Sequence, residues 1–447
     1  MMALSSWLDN PVRVSAGFGS SADETAKTSQ LDACAKQILS TLDFQRLFPV
    51  QDAVLEYSLK HDICVSAPTG SGKTLAYILP ILKSLHRRRV IRIRGLVVVP
   101  GRELALQIQG ILEPLANGLG LCVGLAVGQS SVSAEAKKFD RLDILLATPG
   151  RLLDHLEMHP GLLQHLEWLV LDEADRLLEG FTADWVSAIF NSISHADGHS
   201  DNGNGVKTHR SVDTAPEQGT SWVTPLRKML FSATLTRNPA KLAELALNDP
   251  VYIIATHENI MENDVKYITP KELAEYLWIG EEERKPVPLI HLLDYCNLTR
   301  AICFTRSIGS TEKLRTLLTR TCPSKRIAAY SAVLSSTERS KLLSSFNEGH
   351  FDLLICSDAA ARGLDLSNVQ AVINYDAPKY VKTYVHRVGR TARVGKSGLA
   401  YTLLSIKEAH HFKEMMVKAG KSKIPSLRIP KSHLMEIVPL LEKVLEQ

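Results

Sequence analysis

The sequence has no Cys-x-x-Cys pair. Its seven cysteines (Cys34, Cys64, Cys122, Cys296, Cys303, Cys322 and Cys356) are odd in number, and several sit inside apolar, strand-like runs. A disulfide framework or a zinc site is therefore not expected, and a reducing compartment is. No apolar run approaches the ~18–20 residues that cross a bilayer, so no membrane association is expected. The opening residues MMALSSWLDNPVRV hold neither a charged first segment nor a long apolar one, which argues against a secretory signal. Charge of one sign is scarce too. The 52 Lys+Arg against 48 Asp+Glu leave +4, too little to demand a polyanion by bulk charge, although local patches can still bind one. What remains is an ordinary soluble composition, 45% hydrophobic and 22% charged, in 447 residues. That length exceeds the size at which one core stops growing, so two domains are expected.

Short apolar runs alternate with helical patterns. DICVSAP, GLVVVP, DILLATP, WLVLDEAD and KMLFSAT read as strands that end abruptly in small, Pro or charged residues. AICFTRS, RIAAYSA, DLLICSD and AVINYDAP repeat the rhythm further on. Strand–helix alternation of this kind builds a parallel sheet, here twice. We place an N-terminal extension at 1–30, a first domain at 31–247, a linker at 248–270 where helical periodicity lapses, and a second domain at 271–447. From His195 to Thr220 the only aliphatic residues are Ala196, Val206, Val212 and Ala215. Such a segment buries too little to offset its ordering entropy, so a disordered surface loop is predicted there.

ICVSAPTGSGKTLAYILP runs strand, glycine loop, helix. Gly70, Ser71 and Gly72 let backbone N–H groups converge on a phosphate, Lys73 adds a mobile positive charge, and Thr74 offers a hydroxyl to Mg²⁺. The strict phosphate-loop pattern wants Gly where this chain has Ala67. In EWLVLDEADRLL, an apolar strand ends in Asp172, Glu173 and Asp175. Clustered carboxylates at a buried edge need a cation or water. Ligands of open α/β sheets bind beyond the carboxyl ends of strands. Asp172 can hold Mg²⁺ through its water shell, and Glu173 can orient and deprotonate the water that attacks a γ-phosphate. Acidic residues decorating a first helical turn are the plain alternative.

APTGSGKT, PGRELA, TPGRLLDHL, LDEAD, SAT, ICFTRS, SDAAARGLD and HRVGRTAR occur in an order and spacing that resemble the DEAD-box RNA helicases. The resemblance covers about Phe48 to Leu404. It implies an α/β fold of two tandem RecA-like domains, each a mainly parallel sheet flanked by helices, and ATP-dependent unwinding or remodelling of RNA. It implies ATP contacts from Gln51, Ala67, Thr69, Gly70, Ser71, Gly72, Lys73, Thr74 and Asp365. Gln51 would read adenine and Asp365 the ribose. Lys73, Asp172 and Glu173 would share catalysis with Arg390 and Arg393, the match to the arginine fingers. Asp175, Ser232, Thr234 and His386 would couple the nucleotide to RNA. In HRVGRTAR, His386, Arg387, Arg390 and Arg393 crowd together, and such mutually repelling cations suggest an anion between them.

The RNA path implied by the resemblance uses Arg102, Gly128, Thr148, Gly150, Arg151, Arg306, Arg339 and Ser357. Arg forks, hydroxyls and helix-start N–H groups suit phosphates and carry no base sequence. The chain departs from the family at Gly101 (usually Thr), Gln129 (usually Gly) and Ser336 (usually Gln). The basic runs His86–Arg94 and Lys418–Lys431 read first as solvated loops or tails, second as RNA arms. The WLDNP, TLTRNPAKLAEL and polar-insertion features resemble a ribosome-assembly branch, which implies a nuclear or nucleolar setting (the cytoplasm being the alternative), regulatory or ribosome-assembly partners and a monomer. Two rivals stand beside the helicase: an ATP-gated RNA clamp with little unwinding, and a DNA-directed motor. Intact Glu173, Arg390 and Arg393 argue against a dead ATPase, and DEAD rather than a DExH variant favours RNA.

Overall fold

A computed structural model describes residues 6–15, 47–68, 70–87, 91–128, 130–180, 184–194, 225–233, 245–256, 272–331, 333–361, 366, 368–392, 397–421 and 423–446. The chain divides into two compact units, the first holding Met1–Ala67 and Ser71–Thr256 and the second including His257–Gln447. The polar insertion 195–220 lies outside the described residues.

The first unit is one sheet of eight strands: β1 (Val12–Ser15), β2 (Ile63–Ser66), β3 (Gly95–Val98), β4 (Val123–Ala126), β5 (Ile144–Ala147), β6 (Trp168–Asp172), β7 (Arg227–Ser232) and β8 (Val251–Thr256). Their spatial order is β1-β8-β2-β7-β6-β3-β5-β4. Every pairing is parallel. Parallel strands are covered on both faces, which is why Leu96–Val98, Ile144–Ala147 and Leu169–Leu171 are buried without a polar alternation. Tyr77, Ile78, Ile81 and Leu82 of helix Lys73–Leu85 and Ile108 and Leu112 of helix Arg102–Gly118 pack against this sheet.

The second unit has six strands: β9 (Leu273–Gly280), β10 (Ala301–Thr305), β11 (Ile327–Tyr330), β12 (Leu353–Ser357), β13 (Ala371–Asn374) and β14 (Gly398–Ser405). They are ordered β11-β12-β10-β13-β14-β9, again all parallel. The period of two along β10 sorts its side chains. Ala301 and Cys303 join one core with Leu318 and Ile437, while Ile302 and Phe304 join another with Tyr330 and Phe346.

Three expectations need correction. The segment placed as linker contains β8, a central strand of the first sheet, and the N-terminal extension contains β1, its edge. Asp62 draws β7 and the approach to β8 to the start of β2, because its carboxylate accepts from the N–H groups of Lys228 and Asn248, both at 2.8 Å. Trp7 meets Tyr252 of β8 edge to face, with ring centroids 6.2 Å apart. Neither β1 nor β8 shows a helical period, so the lapse of periodicity marked strands. The third correction concerns the basic run Lys418–Lys431. Lys421 pairs with Glu275, and Leu427 and Ile429 pack on the second core. Backbone bonds join Leu277 to Pro425 and Leu427 and cover the exposed edge of β9. Arg94, in the other basic run, is buried against Asp143 at 3.1 Å.

Candidate functional site

The order of strands in the first sheet sorts the motifs in space. Ala67–Lys73 follow β2, Ser232 ends β7, and Asp172–Asp175 end β6 and open the next helix. These three strands are neighbours. Arg102 follows β3, Thr148–Arg151 follow β5, and Gly128 follows β4, and these three are neighbours as well. All six segments leave the same carboxyl edge, because every strand runs parallel.

At the phosphate loop, Gly70 and Gly72 have φ of 84° and 82°, a left-handed backbone that favours glycine. Gly72 has a second reason. A Cβ there would lie 2.3 Å from Gln51 Nε2 and 2.9 Å from the Phe48 ring. Gln51 is buried. Its Oε1 accepts from the Phe48 N–H at 2.9 Å, and its Nε2 donates to Gly72 O at 3.2 Å. The glutamine thus braces the loop to helix Pro49–Tyr57. Lys73 Nζ donates to Ala67 O at 2.8 Å, across the mouth of the loop.

Asp172 is buried, and both of its oxygens are engaged. Oδ1 accepts from the Glu173 N–H at 2.9 Å and Oδ2 from the Tyr77 hydroxyl at 3.0 Å. Burial pushes its carboxyl up to about 6, with the Glu173 charge acting the same way and Lys73 opposing. Glu173 sits at φ 52°, a left-handed conformation uncommon for a residue with a side chain. Its carboxylate pairs with Arg176 one turn on. Asp175 and Ser232 are buried at the neighbouring ends of β6 and β7. Thr69, Thr234, Asp365 and Arg393 lie outside the described residues. The oxygen-only donors at the loop, the Thr74 hydroxyl and the buried Asp172 carboxylate, fit a hard divalent cation such as Mg²⁺.

The second cluster is held by a residue that sequence reasoning missed. Glu135 Oε1 accepts from the Gly128 N–H at 3.2 Å. Its Oε2 accepts from Arg151 Nε and stands against His155 Nε2, both at 2.8 Å. His155 is buried and meets Phe139 edge to face at 4.7 Å. Burial alone raises the Glu135 carboxyl, but the His155 and Arg151 hydrogen bonds and charges outweigh it and leave it below its ordinary value. Thr148 caps helix Pro149–Met158 in position only, since its hydroxyl makes no capping bond there. Gly150, in the first turn, is exposed, and a Cβ on it would meet nothing within 4 Å.

In the second unit Arg306 follows β10 and Ser357 ends β12, its paired strand. Asp376 fixes Arg306 through its backbone N–H at 2.7 Å and its guanidinium at 3.0 and 3.2 Å, leaving that side chain 62% exposed. Arg339 lies in the first turn of helix Ser336–Asn347, whose start is capped by Ser335 and Glu338. His386 and Arg387 lie on helix Val381–Val388, followed by Arg390 in a turn. The grouping of Arg387 with anion-facing cations is corrected by its partners. It is buried, forks onto Asp358 at 2.6 and 2.7 Å, and donates to Asn374 Oδ1 and Asp376 O. Its anion is internal. A tight i+3 spacing marks Tyr77 beside Thr74, whereas no sequence signal pairs Glu135 with Arg151 or Asp358 with Arg387.

Comparison with known proteins agrees with this arrangement. Residues 48–242 match the family model of the DEAD/DEAH box helicases and 285–395 that of the helicase conserved C-terminal domain. The chain is 36% identical over 483 residues to the ATP-dependent RNA helicase dbp6 of Schizosaccharomyces pombe, covering 99% of this chain and 79% of that protein. It is 35% identical to the ATP-dependent RNA helicase DDX51 of Danio rerio, covering 99% and 72%. Among solved structures, Mss116p bound to ssRNA and AMP-PNP shares the fold with a TM-score of 0.74 at 23% identity, over 97% of this chain and 85% of that one. Dbp5 of S. cerevisiae bound to RNA and ADP BeF3 shares it at 0.71 and 22%, over 96% and 100%. The fold is thus two parallel-sheet domains of the RecA-like kind, and the chain belongs to the DEAD-box ATP-dependent RNA helicases.

Proposed function

We propose that this helicase couples ATP hydrolysis to local opening of RNA duplexes or remodelling of RNA–protein complexes, with the residue roles that follow. The observation that carries this reading is the sorting of the six segments along one sheet edge, phosphate-type residues over β2, β7 and β6 and RNA-type residues over β3, β5 and β4.

Nucleotide phosphates are held by the loop N–H groups of Gly70–Thr74 and by Lys73, which exchanges Ala67 O for a phosphate oxygen. Gln51 and Asp365 hold the base and ribose. Thr74 and Asp172 hold Mg²⁺, directly and through water. When bound, the cation neutralises charge on the phosphates. Glu173 takes the proton of the attacking water, for which it must leave Arg176. Its left-handed backbone turns the carboxylate off the strand axis while Asp172 anchors its N–H. Arg390 and Arg393 stabilise charge on the transferring phosphoryl group. Asp175, Ser232, Thr234 and His386 report the nucleotide state to the RNA side.

RNA is held by its backbone through Arg102, Gly128, Thr148, Gly150, Arg151, Arg306, Arg339 and Ser357, without base specificity. The chain works as a monomer that RNA and ATP draw toward a closed state, each ligand favouring it. The WLDNP segment and the polar insertion support a role in ribosome assembly, in the nucleus or nucleolus, beside regulatory or ribosome-assembly proteins. The test is ATPase stimulation. Single-stranded RNA should stimulate turnover more than the matched DNA; equal stimulation would favour a DNA motor. Crosslinking in cells should recover ribosomal precursor RNA, and its absence would remove the ribosome-assembly role.

A further inference from the structure

We propose that Tyr77 is a positioning residue for the magnesium site, its phenol donating to the buried aspartate that holds the cation. The inference rests on the assignment of Thr74 and Asp172 to magnesium. Tyr77 lies three residues after Thr74, so the two side chains share a face of helix Lys73–Leu85. Its ring is fully buried and meets Phe231 of β7 edge to face at 5.1 Å. That packing leaves the hydroxyl pointing at β6, where it donates to Asp172 Oδ2 at 3.0 Å.

The direction of this bond matters. A tyrosine hydroxyl has one proton, and a buried carboxylate is the stronger acceptor, so Tyr77 gives its proton to Asp172. Asp172 meanwhile has one oxygen held by the Glu173 N–H and one by Tyr77. Its plane is fixed before any ion arrives. Mg²⁺ demands near-ideal octahedral geometry, so a carboxylate set in advance favours it. Phenylalanine would fill the same space and supply none of this.

The test is Tyr77→Phe in the full chain, read by binding of a fluorescent ATP analogue during a Mg²⁺ titration and in EDTA. The Mg²⁺ concentration that half-maximally strengthens nucleotide binding should rise about tenfold, as for loss of a hydrogen bond to a charged group. Affinity in EDTA should stay unchanged, the nucleotide-free protein should stay folded with at most a modestly lowered melting temperature, and RNA-stimulated turnover should return at high Mg²⁺. An unmoved Mg²⁺ midpoint, or an equal loss of affinity in EDTA, overturns the role of Tyr77. Asp172→Asn is run beside it. Should that variant keep the wild-type Mg²⁺ response, the metal assignment itself falls. Should it lose the response while Tyr77→Phe keeps the wild-type midpoint, only Tyr77 is removed from the account.

Discussion

Glu135 Oε2 accepts from Arg151 Nε at 2.8 Å, and through this bond the loop after β4 grips the helix after β5. The same carboxylate holds the Gly128 N–H and stands against His155. Two segments on neighbouring strands are thereby set as one surface, with Arg151 held in place by Glu135. Glu135→Gln should weaken RNA binding by roughly threefold to tenfold, as one charge-assisted bond is replaced by an amide facing Arg151. ATP binding without RNA should be unaffected. The same pair has a pH signature. The Glu135 carboxyl sits below its ordinary 4.5 because the bonds from His155 and Arg151 outweigh its burial. A depressed acid contributes its full stability above 4.5 and loses it as pH falls through the folded value. The melting-temperature gap between wild type and Glu135→Gln should therefore be open at pH 7 and narrow below 4.5.

Two glycines should respond oppositely to alanine. At Gly72 the Cβ collides with Gln51 and the backbone is left-handed, so Gly72→Ala should lower stability by about 1–3 kcal/mol and abolish nucleotide binding. At Gly150 a Cβ meets only open space. Gly150→Ala should keep the melting temperature and, through the RNA contact proposed for Gly150, still weaken RNA binding. Calorimetry and RNA titration on both variants separate the two effects.

Arg387→Lys is the sharpest stability prediction. A lysine cannot fork onto the half-buried Asp358 while also reaching Asn374 and Asp376 O, so buried acceptors lose their donor. The loss should be about 1–3 kcal/mol, placed in the second unit by hydrogen exchange. Hydrolysis of ATP in the absence of RNA offers no such discrimination, since any loosening of this helix displaces His386 and Arg390 as well.

The sequence carried more of the nucleotide site than of its supports. Gly70–Thr74 and Asp172–Asp175 are contiguous, and each follows an apolar run that ends abruptly, so local pattern suffices to place them at strand ends. Glu135, Asp376 and Asp358 hold arginines 16 to 70 residues away, and no period or motif encodes those pairings. The same blindness hid β1 and β8. Each is short, and VYIIAT pairs with β2 while VRVS pairs in turn with VYIIAT, partners that no local pattern announces. Arg387 shows the converse error. A run of cations looked like one anion site, but the helical period turns Arg387 inward onto Asp358, while Arg390 lies in the turn that follows.

The claim on which the account rests is that Glu173 activates the attacking water. Its measurement is single-turnover ATP hydrolysis by Glu173→Gln at saturating RNA, with nucleotide and RNA affinities determined on the same protein. The amide keeps the shape of the side chain but cannot take a proton, so the rate should fall by about 10²–10⁴ while both ligands still bind. Hydrolysis at the wild-type rate would contradict the account.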